Sequence, residues 1–123
     1  MKQRDLKNLD TATLVSDYRE AAAAQWASIF GGKPKAAYKH SDKVVKMYTE
    51  LRRRGDAARS ALLPLLEDSD PGVRVWAAAH ALEFAPEKAE PILIDLVQKP
   101  RGPTATIARY TLQQWRDGTL FFP

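Results

Sequence analysis

There is no cysteine among the 123 residues of this chain. Disulfides and thiolate metal ligands are therefore excluded, a reducing compartment is the natural setting, and a cytoplasmic location is expected. Histidine is almost as scarce: His40 and His80 fall on different predicted helices, and neither has a helical partner at zinc-protease spacing. No apolar run is long enough to span a bilayer, and Met1-Lys2-Gln3-Arg4-Asp5 does not open a signal peptide. Strand-like alternation, a glycine-rich phosphate loop and a GxSxG elbow are all missing. Gly31-Gly32-Lys33 lacks the spacing of a P-loop and follows a helix rather than a strand. No metal, cofactor or membrane partner is expected. Nor is an enzyme, because a short helical stack offers little of the concavity a catalytic site needs.

What is present is helical patterning. Leu14, Tyr18, Ala22, Trp26, Ile29 and Phe30 recur at steps of three and four, predicting a helix from a cap at Asp10 or Thr11 to Phe30. Gly31-Gly32-Lys33-Pro34 ends it. A second helix is predicted over 35–54, with Ala37, Ser41, Val44, Val45, Tyr48 and Leu51 inward and Gly55 closing it. Residues 56–84 read as an αα-hairpin. Leu62, Leu63, Leu65 and Leu66 precede an Asp68-Ser69-Asp70-Pro71-Gly72 turn, and Val73, Ala77, Ala78, Ala81, Leu82 and Phe84 share a face after it. Pro64 and Pro91 sit awkwardly inside the third and fifth helical segments, so the fifth either starts near Glu90 or is kinked. A loop follows at 99–103, and the last helix is expected over 104–116, ending at Asp117-Gly118. Leu62, Leu66, Ala78 and Leu82 are echoed thirty residues on by Ile92, Leu96, Ala108 and Leu112.

The stretch LLPLLEDSDPGVRVWAAAHAL resembles a HEAT repeat of the PBS-lyase type. On that resemblance Arg74 takes the place of an arginine that ties neighbouring turns together. The wider chain, through LRRRG, VRVWAAAHAL and LQQWRDG, is similar to a small bacterial HEAT-like family of unknown function. The resemblance implies an all-α fold: a short right-handed αα-superhelix of about six helices in three stacked hairpins. One domain over 1–123 is expected. It would comprise an irregular first layer at 10–54, a repeat at 56–84, a degraded terminal repeat at 86–118, and a tail at 119–123. That tail is either folded back over the last layer or free as a docking peptide.

Charge is unevenly distributed. Residues 1–60 hold 13 Lys/Arg against 7 Asp/Glu, while residues 61–123 hold 6 against 8. At about 100° per residue, Lys35, Lys39, Lys43, Lys46 and Arg53 share one face of the second helix, with Glu50 among them. Arg52, Arg53 and Arg54 crowd its C-terminus, where positive charge opposes the helix dipole. The stripe reads either as a solvated face or as a binding surface for an acidic partner. Trp76 falls outside the main apolar face with Val75, Ala79 and Glu83, so it either anchors a partner or packs on the adjacent hairpin. Trp26 and Trp115 fit the core. Asp68 and Asp70 invite an acid–base reading, but the turn needs such residues for capping.

The expected function is a non-enzymatic protein–protein interaction module with Lys35, Lys39, Lys43, Lys46, Arg53, Val75, Trp76 and Glu83 at its contact. Similar small HEAT-like families imply a bacterial immunity protein that covers the active cleft of a cognate toxin. The alternative is nucleic-acid binding through the basic helix, against which no aromatic platform stands out beside the lysines. A bilin-lyase-like role shares the repeat type alone.

Overall fold

The computed structural model describes residues 6–98 and 102–120, and for Gly102 and Pro103 the backbone alone. Its described residues form six α-helices, two short 3-10 helices and no strand. The helices are α1 (Thr11–Phe30), α2 (Pro34–Arg54), α3 (Asp56–Ser60), α4 (Pro71–Ala81), α5 (Pro86–Gln98) and α6 (Gly102–Asp117). The all-α expectation holds. Residue contacts divide the chain into two compact units, Met1–Ala61 and Leu62–Pro123, and the division falls inside the stretch 56–84.

In the first unit α1 and α2 pack along one another. The Asp10 carboxylate accepts the Thr13 N–H at 2.7 Å and caps α1. At the other end, Lys33 N–H reaches the Ser28 carbonyl at 2.8 Å and Gly32 N–H reaches that of Ile29 at 3.1 Å. This is the Schellman closure, and Gly32 takes the positive φ of 71° it requires. Pro34 then opens α2 at a position where no intrahelical N–H is needed. The core stripes are Leu14, Tyr18, Ala22 and Trp26 on α1 and Ala37, Val44, Tyr48 and Leu51 on α2, and all eight residues are buried. Burial pushes the Tyr18 phenol well above its ordinary value, with the neighbouring Tyr48 adding to the effect. Ile29 and Phe30 depart from the expected core: they are 39% and 66% exposed, at the end of α1 where the hairpin runs out.

Further along, proline chemistry divides what the sequence presents as one helix. Pro64 has no N–H for the Ser60 carbonyl and its ring crowds that oxygen, so α3 stops at Ser60. The chain continues as a 3-10 helix over Leu63–Glu67. Pro91, by contrast, stays inside a continuous α5 that begins at Pro86. Glu87, whose carbonyl loses its partner, and Pro91 itself are both exposed, as Ser60 and Pro64 are, so water can take the freed acceptor at either site. The last helix begins at Gly102, two residues before its expected start. The loop residues Lys99, Pro100 and Arg101 and the tail residues Phe121, Phe122 and Pro123 lie outside the described residues, and Leu120 is half-buried.

Helix α4 begins as the turn sequence predicts. The Asp70 carboxylate accepts the Gly72 N–H at 2.8 Å, and Asp68 accepts that of Asp70 at 2.9 Å. The two aspartates are consumed by the turn. Replacing Asp70 by alanine is expected to destabilise the fold by about 1 kcal/mol, the usual loss for an N-cap. Urea unfolding checks this, and Asp70→Asn should restore most of the loss. Of the eight residues related by the thirty-residue offset, seven are buried and Ile92 is half-buried. The offset is matched in burial but not in local structure, because Leu66 lies in the 3-10 helix and Leu96 in α5. Trp26 is buried as expected, whereas Trp115 is half-buried. Arg74 is half-buried, and its Nε has no hydrogen-bond partner among the described residues. The turn-tying bond implied for it is not made through that atom.

Candidate interaction surface

The basic face of α2 divides into two parts with different chemistry. Toward the C-terminus the charges are consumed internally. Glu50 is 8% exposed, although the helical wheel sets it in the outward stripe. Arg53 donates from Nε and Nη2 to its two carboxylate oxygens at 3.0 and 2.6 Å. Arg54 Nε donates to the second of these at 2.8 Å. The two guanidiniums hold the Glu50 carboxyl down to about 2, against an ordinary value of 4.5. The same pairing raises the already high value of Arg53. Glu50 therefore does not interrupt an exposed stripe, because the arginines close over it. Arg53 is correspondingly a paired residue rather than a free contact.

Arg54 does more than complement the helix dipole. Its Nη2 reaches the carbonyls of Leu6 at 2.9 Å and Leu9 at 2.6 Å, and its Nη1 approaches the Thr11 hydroxyl at 3.4 Å. The end of α2 thereby clasps the short 3-10 helix (Leu6–Asn8) and the start of α1. With the short connection at their other ends, that contact sets α1 and α2 antiparallel.

Toward the N-terminus of α2 the charges face solvent. Lys35, Lys39 and Lys43 are exposed, and none has an ion-pair partner among the described residues. Lys46 is exposed but pairs with Asp42 at 2.9 Å. Tyr38 lies in the same turn as Lys35 and Lys39 and is 80% exposed. The wheel contains the signal for it: Tyr38 is about 100° from the centre of the buried Ala37–Val44–Tyr48–Leu51 stripe. An aromatic does accompany the lysines, contrary to the sequence expectation. Phe30, across the Gly31-Gly32-Lys33 connection, is a second one.

The other expected contact, on α4, is not an exposed face. Val75 is 3% exposed and has no surface to offer a partner. Trp76 and Glu83 are half-buried, and the Trp76 ring lies 5.7 Å from that of the buried His80. On a helix packed against α5 and α6, more of the circumference is covered than the apolar stripe alone suggests. His40, on α2, is half-buried. No group of three potential metal ligands occurs among the described residues. The second unit carries an open groove of about 440 Å³ lined by Leu63, Pro64, Leu66 and Ile92 among others. Its polar residues Glu67, Glu87 and Lys88 are all exposed.

Residues 12–115 match the model of a family described as "Domain of unknown function (DUF2019)". In fold the chain is similar to the protein RPA1889 from Rhodopseudomonas palustris CGA009, known from a crystal structure. The two share 28% sequence identity at a TM-score of 0.90, over 97% of this chain and 98% of that one. No curated protein matches the chain.

Proposed function

This chain belongs to the family described as a domain of unknown function (DUF2019), and we propose that it is a non-enzymatic, cytoplasmic protein-binding module whose contact is the N-terminal half of α2. The observation that supports this is the set Lys35, Lys39 and Lys43: three exposed ammonium groups, uncompensated among the described residues, on one rigid helix. Such a surface attracts an acidic partner and steers its approach, and a preformed helix loses little entropy on binding. The HEAT-like resemblance extends the reading to immunity. Neutralising a toxin by covering an acidic surface at its cleft needs charge and shape in this chain and no catalysis.

A second reading has one observation in its favour. Tyr38, exposed among the lysines, would serve as a stacking platform for a nucleic-acid base. A pull-down from native lysate, at low and moderate salt and with parallel nuclease treatment, separates the two. The expected result is one stoichiometric protein that survives nuclease and is lost with Lys39→Glu and Lys43→Glu. Charge reversal at two such sites should weaken binding by at least about tenfold and flatten its salt dependence. Recovery of nucleic acid alone, released by salt, would reverse the order of the two readings.

A further inference from the structure

The α1–α2 connection carries a group of exposed apolar side chains that neither the fold nor the lysines account for. Phe30, the last residue of α1, is 66% exposed, Ile29 before it 39%, and Tyr38 in α2 80%. They are separated only by Gly31, Gly32 and Lys33 and the first turn of α2, so they share one end of the hairpin. Lys33, Lys35 and Lys39 are exposed at the same end. The nearest carboxylate along α2, Asp42, pairs with Lys46. Behind this end lies Trp26, only 5% exposed, with its ring 6.1 Å from that of Phe30. The Trp26 indole N–H is buried and has no acceptor among the described residues.

Each of these features is unfavourable in the isolated chain. Two aromatic rings face water, and a sealed donor forgoes the hydrogen bond it would make in solvent. Each would be relieved by one kind of occupant. We propose that the hairpin end is the anchor of the binding surface described above, and that it takes an acidic protein segment carrying a bulky apolar side chain. The inference rests on that protein-binding reading and adds the partner chemistry. The apolar side chain packs on Phe30 and Tyr38, its flanking Asp or Glu residues meet Lys33, Lys35 and Lys39, and a backbone carbonyl accepts the Trp26 N–H once the Phe30 ring turns aside. Central aromatic anchors with a polar rim are the usual source of affinity at protein contacts. A directional buried donor favours a protein over a lipid surface, which presents no acceptor at a fixed place.

The test uses a random peptide display library as the probe for the full chain, followed by titration of a selected peptide. Enriched sequences are expected to place Asp or Glu beside Leu, Phe or Trp. Phe30→Ala and Tyr38→Ala should each weaken the peptide by about tenfold or more, as hot-spot aromatics do, and Trp26→Phe by a few-fold. Phe30 and Tyr38 are exposed, so thermal unfolding of their variants should match the wild type, which separates lost contact from lost fold. If Lys39→Glu and Lys43→Glu abolish binding while Phe30→Ala and Tyr38→Ala leave it unchanged, the anchor is refuted and the basic-face reading stands. If none of these variants affects the selected peptides, both readings fail. Phosphatidylglycerol vesicles or single-stranded DNA that displace the peptide and bind through Phe30 would overturn the protein occupant.

Discussion

Replacing Arg54 by alanine is expected to lower stability by about 3 kcal/mol, the scale for losing several hydrogen bonds made by one charged group. One guanidinium, with its side chain 17% exposed, joins Glu50 to the carbonyls of Leu6 and Leu9. Its removal strands those acceptors and loosens the start of α1 together with the end of α2. Arg54→Lys should recover less than half, because an ammonium cannot span the three directions that the planar fork serves. Arg53→Ala offers the contrast. Its side chain is 59% exposed, and solvent screening should hold the loss below about 1 kcal/mol despite the short bond to Glu50. Urea unfolding of the three variants checks the ordering.

The same cluster makes stability depend on pH. The Glu50 carboxyl titrates at about 2 in the folded chain and near 4.5 when unpaired. A depressed folded value means its contribution is complete above about pH 4.5 and fades as pH falls toward 2. Glu50→Gln should therefore be less stable than wild type at pH 7, with the difference closing through that window. A difference that stays constant from pH 7 to 2 would show that charge is not what Glu50 supplies.

Tyr48→Ala is expected to have an effect at least as large, about 4 kcal/mol, as for other large buried aromatics. Tyr48 is 1% exposed in the C-terminal part of α2, its ring lies under the Arg52 guanidinium at 5.2 Å, and it helps hold the Arg59 guanidinium above its already high ordinary value. Truncation leaves a cavity in the α1–α2 core and removes the Arg52 contact. Tyr48→Phe separates these contributions. It keeps the ring and the cation–π contact and loses the hydroxyl, for an expected loss of about 1 kcal/mol. If the two variants were equally destabilised, the hydroxyl would outweigh the packing of the ring. Denaturation followed by circular dichroism measures both.

Where local chemistry decides, the sequence was readable to within a residue or two. Asp10 and Asp70 cap α1 and α4, Pro34 opens α2, and Gly32 and Gly55 close α1 and α2 with positive φ. Each of these depends on atoms within a few residues along the chain, and a one-dimensional pattern contains them all. Helix faces were legible for the same reason, since direction around a helix is a matter of spacing. Pro64 and Pro91 were both visible as obstacles, and the residues whose carbonyls they free, Ser60 and Glu87, are both exposed, so local chemistry does not separate the break after Ser60 from the continuous α5.

The binding surface was legible only in part. The wheel assigned Lys35, Lys39 and Lys43 to the outside, and they are there. It also assigned Glu50 outward and Val75 to a contact face, and both are buried. A wheel gives the direction of a side chain and not the depth of what stands beside it. Glu50 is covered by the side chains of Arg53 and Arg54, and Arg54 is fixed by carbonyls more than forty residues away in sequence. Ile29 and Phe30 continue the apolar period of α1 yet face solvent, because they stand where the hairpin ends. Sequence by itself thus determined the course of α1 and α2, the caps of α1 and α4 and the outward direction of Lys35, Lys39 and Lys43, all set by short-range sterics and hydrogen bonding. Tertiary structure alone decided that Arg54 reaches the Leu6 and Leu9 carbonyls, that Val75 is covered and that Phe30 is left exposed, because burial depends on where neighbouring elements begin and stop.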